Sequence, residues 1–138
     1  MPFAATPANR LTGAALMQAI SGKRLTYIRE SIRTPGAWVN NMRDHRPDGS
    51  FVYLCEYGRK EDGPWRPCNS FGAVEKRVAG SRDVGVWSIK NEAVCSVKSG
   101  FGANTEDCVA IHRQGAVLAA VRMSGPRAVC INGTITLK

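Results

Sequence analysis

Several features that would point at once to a class of protein are scarce in this sequence of 138 residues. No apolar run approaches the roughly 18 residues that a helix needs to span a bilayer, so we expect no transmembrane segment. The basic residues are scattered from Arg10 to Lys138 and form no polybasic block, which disfavours nucleic acid as a partner. Cysteines never occur in close pairs such as C-x₂-C, and this argues against a zinc site.

Residues that carry catalysis are also few. The chain has two histidines, no recognisable nucleophile motif, and no pair of carboxylates that stands out as a glycosidase couple. His45 lies in the polar stretch "RDHRPDG", which indicates a solvated turn, and a metal or acid–base site with the neighbouring carboxylates is the alternative. His112 follows Cys108 on the same strand face but two steps along, so we expect no direct proton transfer between them. No catalytic residue, metal ligand or cofactor is therefore predicted.

A secretory signal is missing from the sequence as written, because "MPFAATPANR" lacks a basic end and a long apolar centre. An exported protein without its leader would begin in the same way, and the small residues of "FAATPA" suit the region just after a cleavage site. No internal repeat or dividing linker is evident. We expect a single domain over residues 1–138, long enough to bury a core.

The charge of the chain is strongly positive. Its formal net charge is +8 at pH 7, and its sequence pI is about 9.7. Such an excess favours an anionic partner, whether a glycan, a lipid headgroup or an acidic protein. The alternative is a general basic character without a specific partner.

The first predicted element is a helix over residues 11–21, which follows a flexible arm of residues 1–10. Thr12 can cap this helix, and Gly22 is a natural stop. Apolar residues recur at helical spacing along one face: Leu11, Ala15, Leu16, Ala19 and Ile20.

Residues 24–138 are typical of antiparallel β-structure. Short runs rich in strand formers alternate with turn signals such as "RPDG", and the connections leave no room for crossover helices. The fold class is therefore mainly β, with one N-terminal helix followed by about eight antiparallel strands in a small barrel or sandwich. An open antiparallel α+β sheet is the alternative. The predicted strands are 25–31, 37–42, 50–57, 84–90, 92–98, 108–113, 116–123 and 127–138.

Among the five cysteines, Cys95 and Cys108 support a geometric prediction. A hairpin across "SGFGANTED" places Cys95 opposite Cys108 and Val97 opposite Glu106. Directly opposite residues at a non-hydrogen-bonded site approach closely enough for a disulfide. Such a bridge indicates an oxidising compartment, and five free thiols in a cytoplasmic core are the alternative.

Cys55 and Cys68 are the natural second pair, across "EYGRKEDGPWRP". This assignment leaves Cys130 unpaired, on the strand face opposite Val129 and Ile131. An unpaired thiol there could line the core or form an intermolecular bridge.

Three stretches occur in a recognisable order. "SGKRLTY" follows the helix, "DGSFVYLCEYGR" reads as a hairpin segment, and "VGVWSIKNEAVCSVKSGFGANTEDCVAIHRQG" joins a Gly-x-Trp strand to a cysteine pair. This order resembles a class of small exported bacterial β-rich domains of unknown function, over about residues 21–115. The resemblance implies an envelope location, a compact β-fold and no established catalysis. It does not explain residues 28–46 or Cys130.

The candidate ligand site lies in the loop "GRKEDGPWRP". Trp65 is flanked by prolines there and has Arg59, Lys60 and Arg66 as neighbours. Its ring could stack on a ligand while the cations hold an anion. The alternative is that Trp65 folds back to plug one end of the β-structure.

These features together predict an exported, non-enzymatic binding or interaction domain, periplasmic or secreted, whose basic surface takes an anionic ligand. One alternative is an inhibitor of a secreted enzyme, although a basic lysozyme is a poor target because two cationic proteins repel. A second alternative is a small enzyme that uses a cysteine or a histidine in the mouth of a barrel.

Overall fold

A computed structural model describes residues 1–68, 82–99 and 105–138, with Arg82 described by its backbone alone. A 3-10 helix and one α-helix precede the strands. No helix in these ranges is long and apolar enough to cross a membrane. The elements are a 3-10 helix at Pro7–Asn9, α1 at Gly13–Ile20, β1 at Lys23–Glu30, β2 at Trp38–His45, β3 at Ser50–Gly58, β4 at Arg66–Pro67, β5 at Arg82–Lys90, β6 at Ala93–Lys98, β7 at Glu106–Gln114, β8 at Val117–Arg122, β9 at Val129–Ile131 and β10 at Thr134–Leu137.

All strands pair antiparallel in one sheet with the order β10-β1-β2-β3-β5-β6-β7-β8-β9, and β4 pairs with β3 beside this path. The mainly β architecture with one N-terminal helix is confirmed. Two strands were not predicted separately. One is the short β4, and the other arises because residues 127–138 divide into β9 and β10 at Asn132 and Gly133.

The sheet is not closed into a barrel, so the barrel version of the prediction is wrong, and the sandwich and open-sheet versions fit. β9 pairs with β8 at one edge and β10 pairs with β1 at the other, while no ladder joins β9 to β10 among the described strands. The chain itself crosses between the two edges at Asn132 and Gly133. Gly133 has φ +130°, and an added Cβ would overlap the carbonyl oxygen of Ile28, so only glycine fits this crossing.

Because one short turn links the two edges of the sheet, the sheet must roll up around a common interior. We call the interior side the concave face. Its apolar part is the core, which α1 joins through the fully buried Leu16 and Ile20. The observed helix is shorter than the predicted one by two residues at its start and one at its end. The N–H of Gly13 donates to Glu92 Oε2 at 2.6 Å, whereas the Thr12 side chain makes no capping hydrogen bond.

The N-terminal residues that we expected to form a flexible arm make specific contacts with the sheet. Asn9 Oδ1 lies 2.8 Å from His112 Nδ1, and the Leu11 N–H donates to the Ile111 carbonyl at 2.9 Å. The Arg10 guanidinium donates to the carbonyl oxygens of Asn91 and Glu92, both at 2.8 Å. These bonds hold the segment against β7 and the β5–β6 turn.

Both predicted disulfides are present. Cys95 and Cys108 are paired residues in the β6–β7 ladder with a Cα–Cα distance of 4.0 Å, and Val97 is opposite Glu106 as predicted. Cys55 and Cys68 are bridged with a Cα–Cα distance of 5.4 Å. Cys130 is a free, half-buried thiol. The turn predicted within "SGFG" lies outside the described residues except for Ser99.

We expect thiol labelling of the unreduced protein, unfolded by denaturant, to modify Cys130 alone. After reduction, all five cysteines should react, and the intact mass should rise by two hydrogens for each bridge before labelling. Peptide mapping identifies the labelled position. Labelling of Cys95 or Cys108 without reduction would contradict the pairing.

Candidate anion-binding site

The concave face changes from apolar to charged along the strands. Because side chains alternate, β1 continues the inward series from Leu25 to Tyr27 and Arg29, and β6 continues it from Val94 to Lys98. Because neighbouring strands run antiparallel, the start of one strand lies beside the end of the next, and both contribute charged side chains to the same region. We call this group the interior charge cluster; its members are Arg29, Arg43, Asp83, Lys98, Asp107 and Arg122.

Arg43 is the buried centre of the interior charge cluster, with 6% of its surface exposed. Its Nη1 lies 2.9 Å from Asp107 Oδ2. The guanidinium carbon lies 5.2 Å from the ring centroid of Tyr27 and 6.0 Å from that of Tyr53, which suits a cation–π contact. Burying a guanidinium is costly unless its charge is compensated, so the Asp107 carboxylate and the two rings hold this side chain in place.

Asp107 bridges two cations. Its Oδ1 lies 3.2 Å from Arg122 Nε and accepts a hydrogen bond from Ser124 Oγ at 3.4 Å, while its Oδ2 contacts Arg43. Burial by itself raises the pKa of Asp107, but the charges of Arg43 and Arg122 outweigh burial and hold the pKa below its ordinary value. The carboxylate is therefore ionised at neutral pH.

Lys98 and Arg29 are cations whose surroundings stabilise their positive charge less well than Asp107 stabilises that of Arg43. Lys98 Nζ lies 3.9 Å from the ring centroid of Tyr53. Burial lowers the pKa of Lys98, and the charge of Arg43 lowers it further. The pKa of Arg29 is lowered by burial and then by the charge of Arg122. Each downward shift means that positive charge is poorly compensated at that position.

Among the residues that the structure describes, the cluster thus holds four cations against two carboxylates. In water such an excess would cost little, but most of these side chains are partly or wholly buried, where charges interact more strongly. Arg122 keeps 46% of its side chain exposed, so the cluster is reached from solvent at this side chain. A positive, partly desolvated site of this kind attracts an anion.

Two buried polar atoms beside the cluster have no hydrogen-bond partner among the described residues. They are Arg43 Nε and the Tyr27 hydroxyl oxygen. Burial raises the pKa of Tyr27 to about 12, so this hydroxyl keeps its proton at neutral pH and can donate it. The gap that Tyr27 and Arg43 line with Ser96 and Val109 is too narrow for a water molecule.

The residues predicted as a ligand site lie elsewhere, in the connection between β3 and β4. Arg59, Lys60 and Arg66 are exposed. Trp65 is half-buried, and its ring packs on the loop's own backbone, because a Cβ added to Gly58 or Gly63 would meet ring atoms within 3.3 Å. No described contact joins the four side chains into one site, and their role in binding stays a prediction.

His45 is not part of a solvated turn, and that interpretation is wrong. The residue ends β2 with 2% of its surface exposed, and its ring centroid lies 5.4 Å from those of Phe51 and Trp87. Trp87 Nε1 donates to the Arg46 carbonyl at 2.7 Å. The adjacent residues Asp44 and Arg46 point outward, while His45 joins the core.

Two further groupings of chemically reactive side chains lie in the described part of the chain. Cys95, Glu106 and Cys108 lie close enough together to hold a metal ion, but the two sulfurs are bonded to each other. His112 lies on the convex side of β7, beside Asn9, and Cys108 has no free thiol to pair with it.

The sequence contains a pattern that could have predicted the interior charge cluster, although the predicted ligand site was placed in the basic loop instead. Lys98 continues the inward series of Val94 and Ser96, and Arg29 continues that of Leu25 and Tyr27. A charged residue at a position that alternation assigns to the core is the signal.

Comparison with protein-family models, with curated proteins and with solved structures finds no match to this chain.

Proposed function

We propose that this chain is an exported, non-enzymatic binding domain that takes an anionic ligand at the interior charge cluster. The observation that carries the proposal is the excess, among the described residues of the cluster, of four cations over two carboxylates, with Arg29, Arg43 and Lys98 partly or wholly buried and Arg122 open to solvent. Structural ion pairs need no such excess. An incoming anion would compensate Lys98 and Arg29, whose surroundings disfavour their charged forms.

The interior cluster is a better candidate than the loop of Arg59, Lys60 and Arg66. Exposed cations on flexible side chains gain little from an ion pair, because water screens the attraction and ordering costs entropy. Lys98 and Arg43 are instead held over tyrosine rings before any ligand arrives. Such preorganisation lowers the cost of binding.

Export is supported by the two disulfides. Bridges of this kind form and persist in oxidising compartments such as the bacterial periplasm or the extracellular space. The resemblance to small exported bacterial domains points the same way. We therefore propose a periplasmic or secreted location.

Calorimetric titration of the full chain with sulfate, glycerol phosphate, acetate and succinate, at constant ionic strength, tests the binding proposal. We expect the double variant Lys98→Met/Arg122→Met to bind its best ligand at least about 100-fold more weakly, since each of the two lost charged hydrogen bonds contributes about 1.5–3 kcal/mol. Methionine keeps most of the buried stem of each side chain.

Two further double variants locate the site. Arg33→Met/Arg127→Met makes the same change in net charge at exposed positions and should leave the affinity within about twofold. Arg59→Met/Lys60→Met tests the loop. If the loop variant loses affinity and the cluster variant does not, the ligand site is the loop; if no anion binds the unmodified chain, the proposed function is wrong.

A further inference from the structure

The cations of the interior charge cluster reach it from strands that are far apart in the sheet order. Arg29 belongs to β1, Lys98 to β6 and Arg122 to β8. In a flat sheet, six strand spacings would separate β1 from β8 by about 29 Å. In the rolled sheet Arg29 instead follows Tyr27 on the concave face of β1, and the Tyr27 ring lies 5.2 Å from the guanidinium carbon of Arg43. Asp107 joins Arg43 to Arg122, and Lys98 lies over the ring of Tyr53, which also faces Arg43. The three cations therefore approach one space from different sides.

A planar carboxylate already occupies part of this space. Asp107 presents one oxygen to Arg43 and the other to Arg122, which is how a carboxylate bridges two guanidinium groups. Within the described part of the chain, the cluster still lacks compensation for two further positive charges. These charges lie on side chains from separate strands, and one flat group with two oxygens cannot face all of them.

We propose that the anionic group bound by the interior charge cluster is a doubly charged tetrahedral oxyanion, a phosphate or a sulfate, held by Arg29, Lys98 and Arg122. This inference rests on the proposed function and narrows its ligand class. A tetrahedral oxyanion offers oxygens in several directions and a charge of about −2, which matches the excess in the cluster. Arginine and lysine are the side chains that bind such groups in proteins.

The same titrations separate this inference from the proposed function. Sulfate and glycerol phosphate should bind at least about tenfold more tightly than succinate, which carries the same charge on carboxylates, and than acetate. Tighter binding of succinate or acetate would leave the anion site in place and overturn the tetrahedral assignment, and it would favour an acidic protein as the partner. Absence of all binding would overturn both proposals.

The pH dependence gives a second readout. A phosphate ester takes up a proton with a pKa of about 6, whereas sulfate stays doubly charged. Between pH 7.5 and 5.5 we expect the affinity for glycerol phosphate to fall several-fold more than that for sulfate. Equal changes for both ligands would contradict recognition of the second charge. Because the protein is the same in both titrations, its own titrating groups cancel in the comparison.

Single variants assign the three donors. Arg29→Met, Lys98→Met and Arg122→Met should each weaken sulfate binding by about tenfold or more, and Arg33→Met should not. Unfolding by urea shows that each variant is folded before titration. If none of the three single variants binds sulfate more weakly than the unmodified chain, the assignment is wrong.

Inorganic phosphate as a further ligand distinguishes the source: tighter binding of glycerol phosphate points to an ester, and equal binding points to the free ion, each in support of a tetrahedral site.

Discussion

Replacing Asp107 by asparagine should lower the free energy of unfolding by about 3 kcal/mol, measured by urea denaturation at pH 7. The carboxylate is the ion-pair partner of Arg43, whose guanidinium is buried. Removing one partner of a buried pair leaves the other charge uncompensated, which typically costs about 3–5 kcal/mol. We use the lower end of that range because 23% of the Asp107 side chain is exposed to water.

The Arg24–Asp44 pair is a matched control, because its Nε–Oδ1 distance of 2.6 Å is as short but its side chains are 44% and 29% exposed. Asp44→Asn should cost at most about 1 kcal/mol. A second variant separates charge from packing: Arg43→Met/Asp107→Asn should be more stable than Asp107→Asn alone, since no buried cation is left unpaired. Equal losses for Asp107→Asn and Asp44→Asn would contradict the buried-pair account.

The same variant bears on the ligand. Asp107 competes with an incoming anion for Arg122, so Asp107→Asn should bind sulfate more tightly while being less stable without it. Added sulfate should then raise the midpoint of thermal unfolding more for the variant than for the unmodified chain, because a ligand that binds only the folded state stabilises it. A smaller rise for the variant would contradict competition between Asp107 and the ligand.

The strand register could be predicted from the sequence because several signals agreed at the same positions. Alternation along 92–98 and 108–113, with one cysteine on each segment, favoured the pairing of Cys95 with Cys108 that the structure shows. The way the sheet ends could not be predicted so well. "RAVCINGTITLK" alternates almost without interruption, yet Asn132-Gly133 is a turn dipeptide, and here it sends the chain to the opposite edge.

The candidate site was harder to predict because polar residues occupy both faces of β2. Asn41, Arg43 and His45 point inward while Met42 and Asp44 point outward, so hydropathy gives no inner face for this strand. Only the register with β3, which places His45 opposite Phe51 and Arg43 opposite Tyr53, shows which residues are inside. The register of this hairpin, which the hydropathy of β2 alone does not give, identifies the inner face.

His45 should make the protein sensitive to mild acid. Burial, and then the charge of Arg43, lower the pKa of His45 from 6.5 to about 4. Between these values the unfolded chain binds the proton and the folded protein does not, so stability is complete above pH 6.5 and falls as the pH decreases towards 4. The difference of 2.5 pH units corresponds to about 3 kcal/mol. Urea denaturation at a series of pH values between 7 and 4 measures this loss.

The variant His45→Leu has a side chain of similar size that cannot titrate, so its stability should fall by about 2–3 kcal/mol less over the same pH range. Carboxylates do not account for the difference, because the pKa values of Asp44 and Asp107 are lowered from 3.8 and these groups lose their stabilising charge only in stronger acid. The pKa of His112 is also lowered, by burial and then by Arg10, but its contribution is present in both proteins and cancels. Parallel stability curves for the two proteins would show that a group other than His45 takes up the proton, because the leucine variant differs from the unmodified chain in no other titrating side chain.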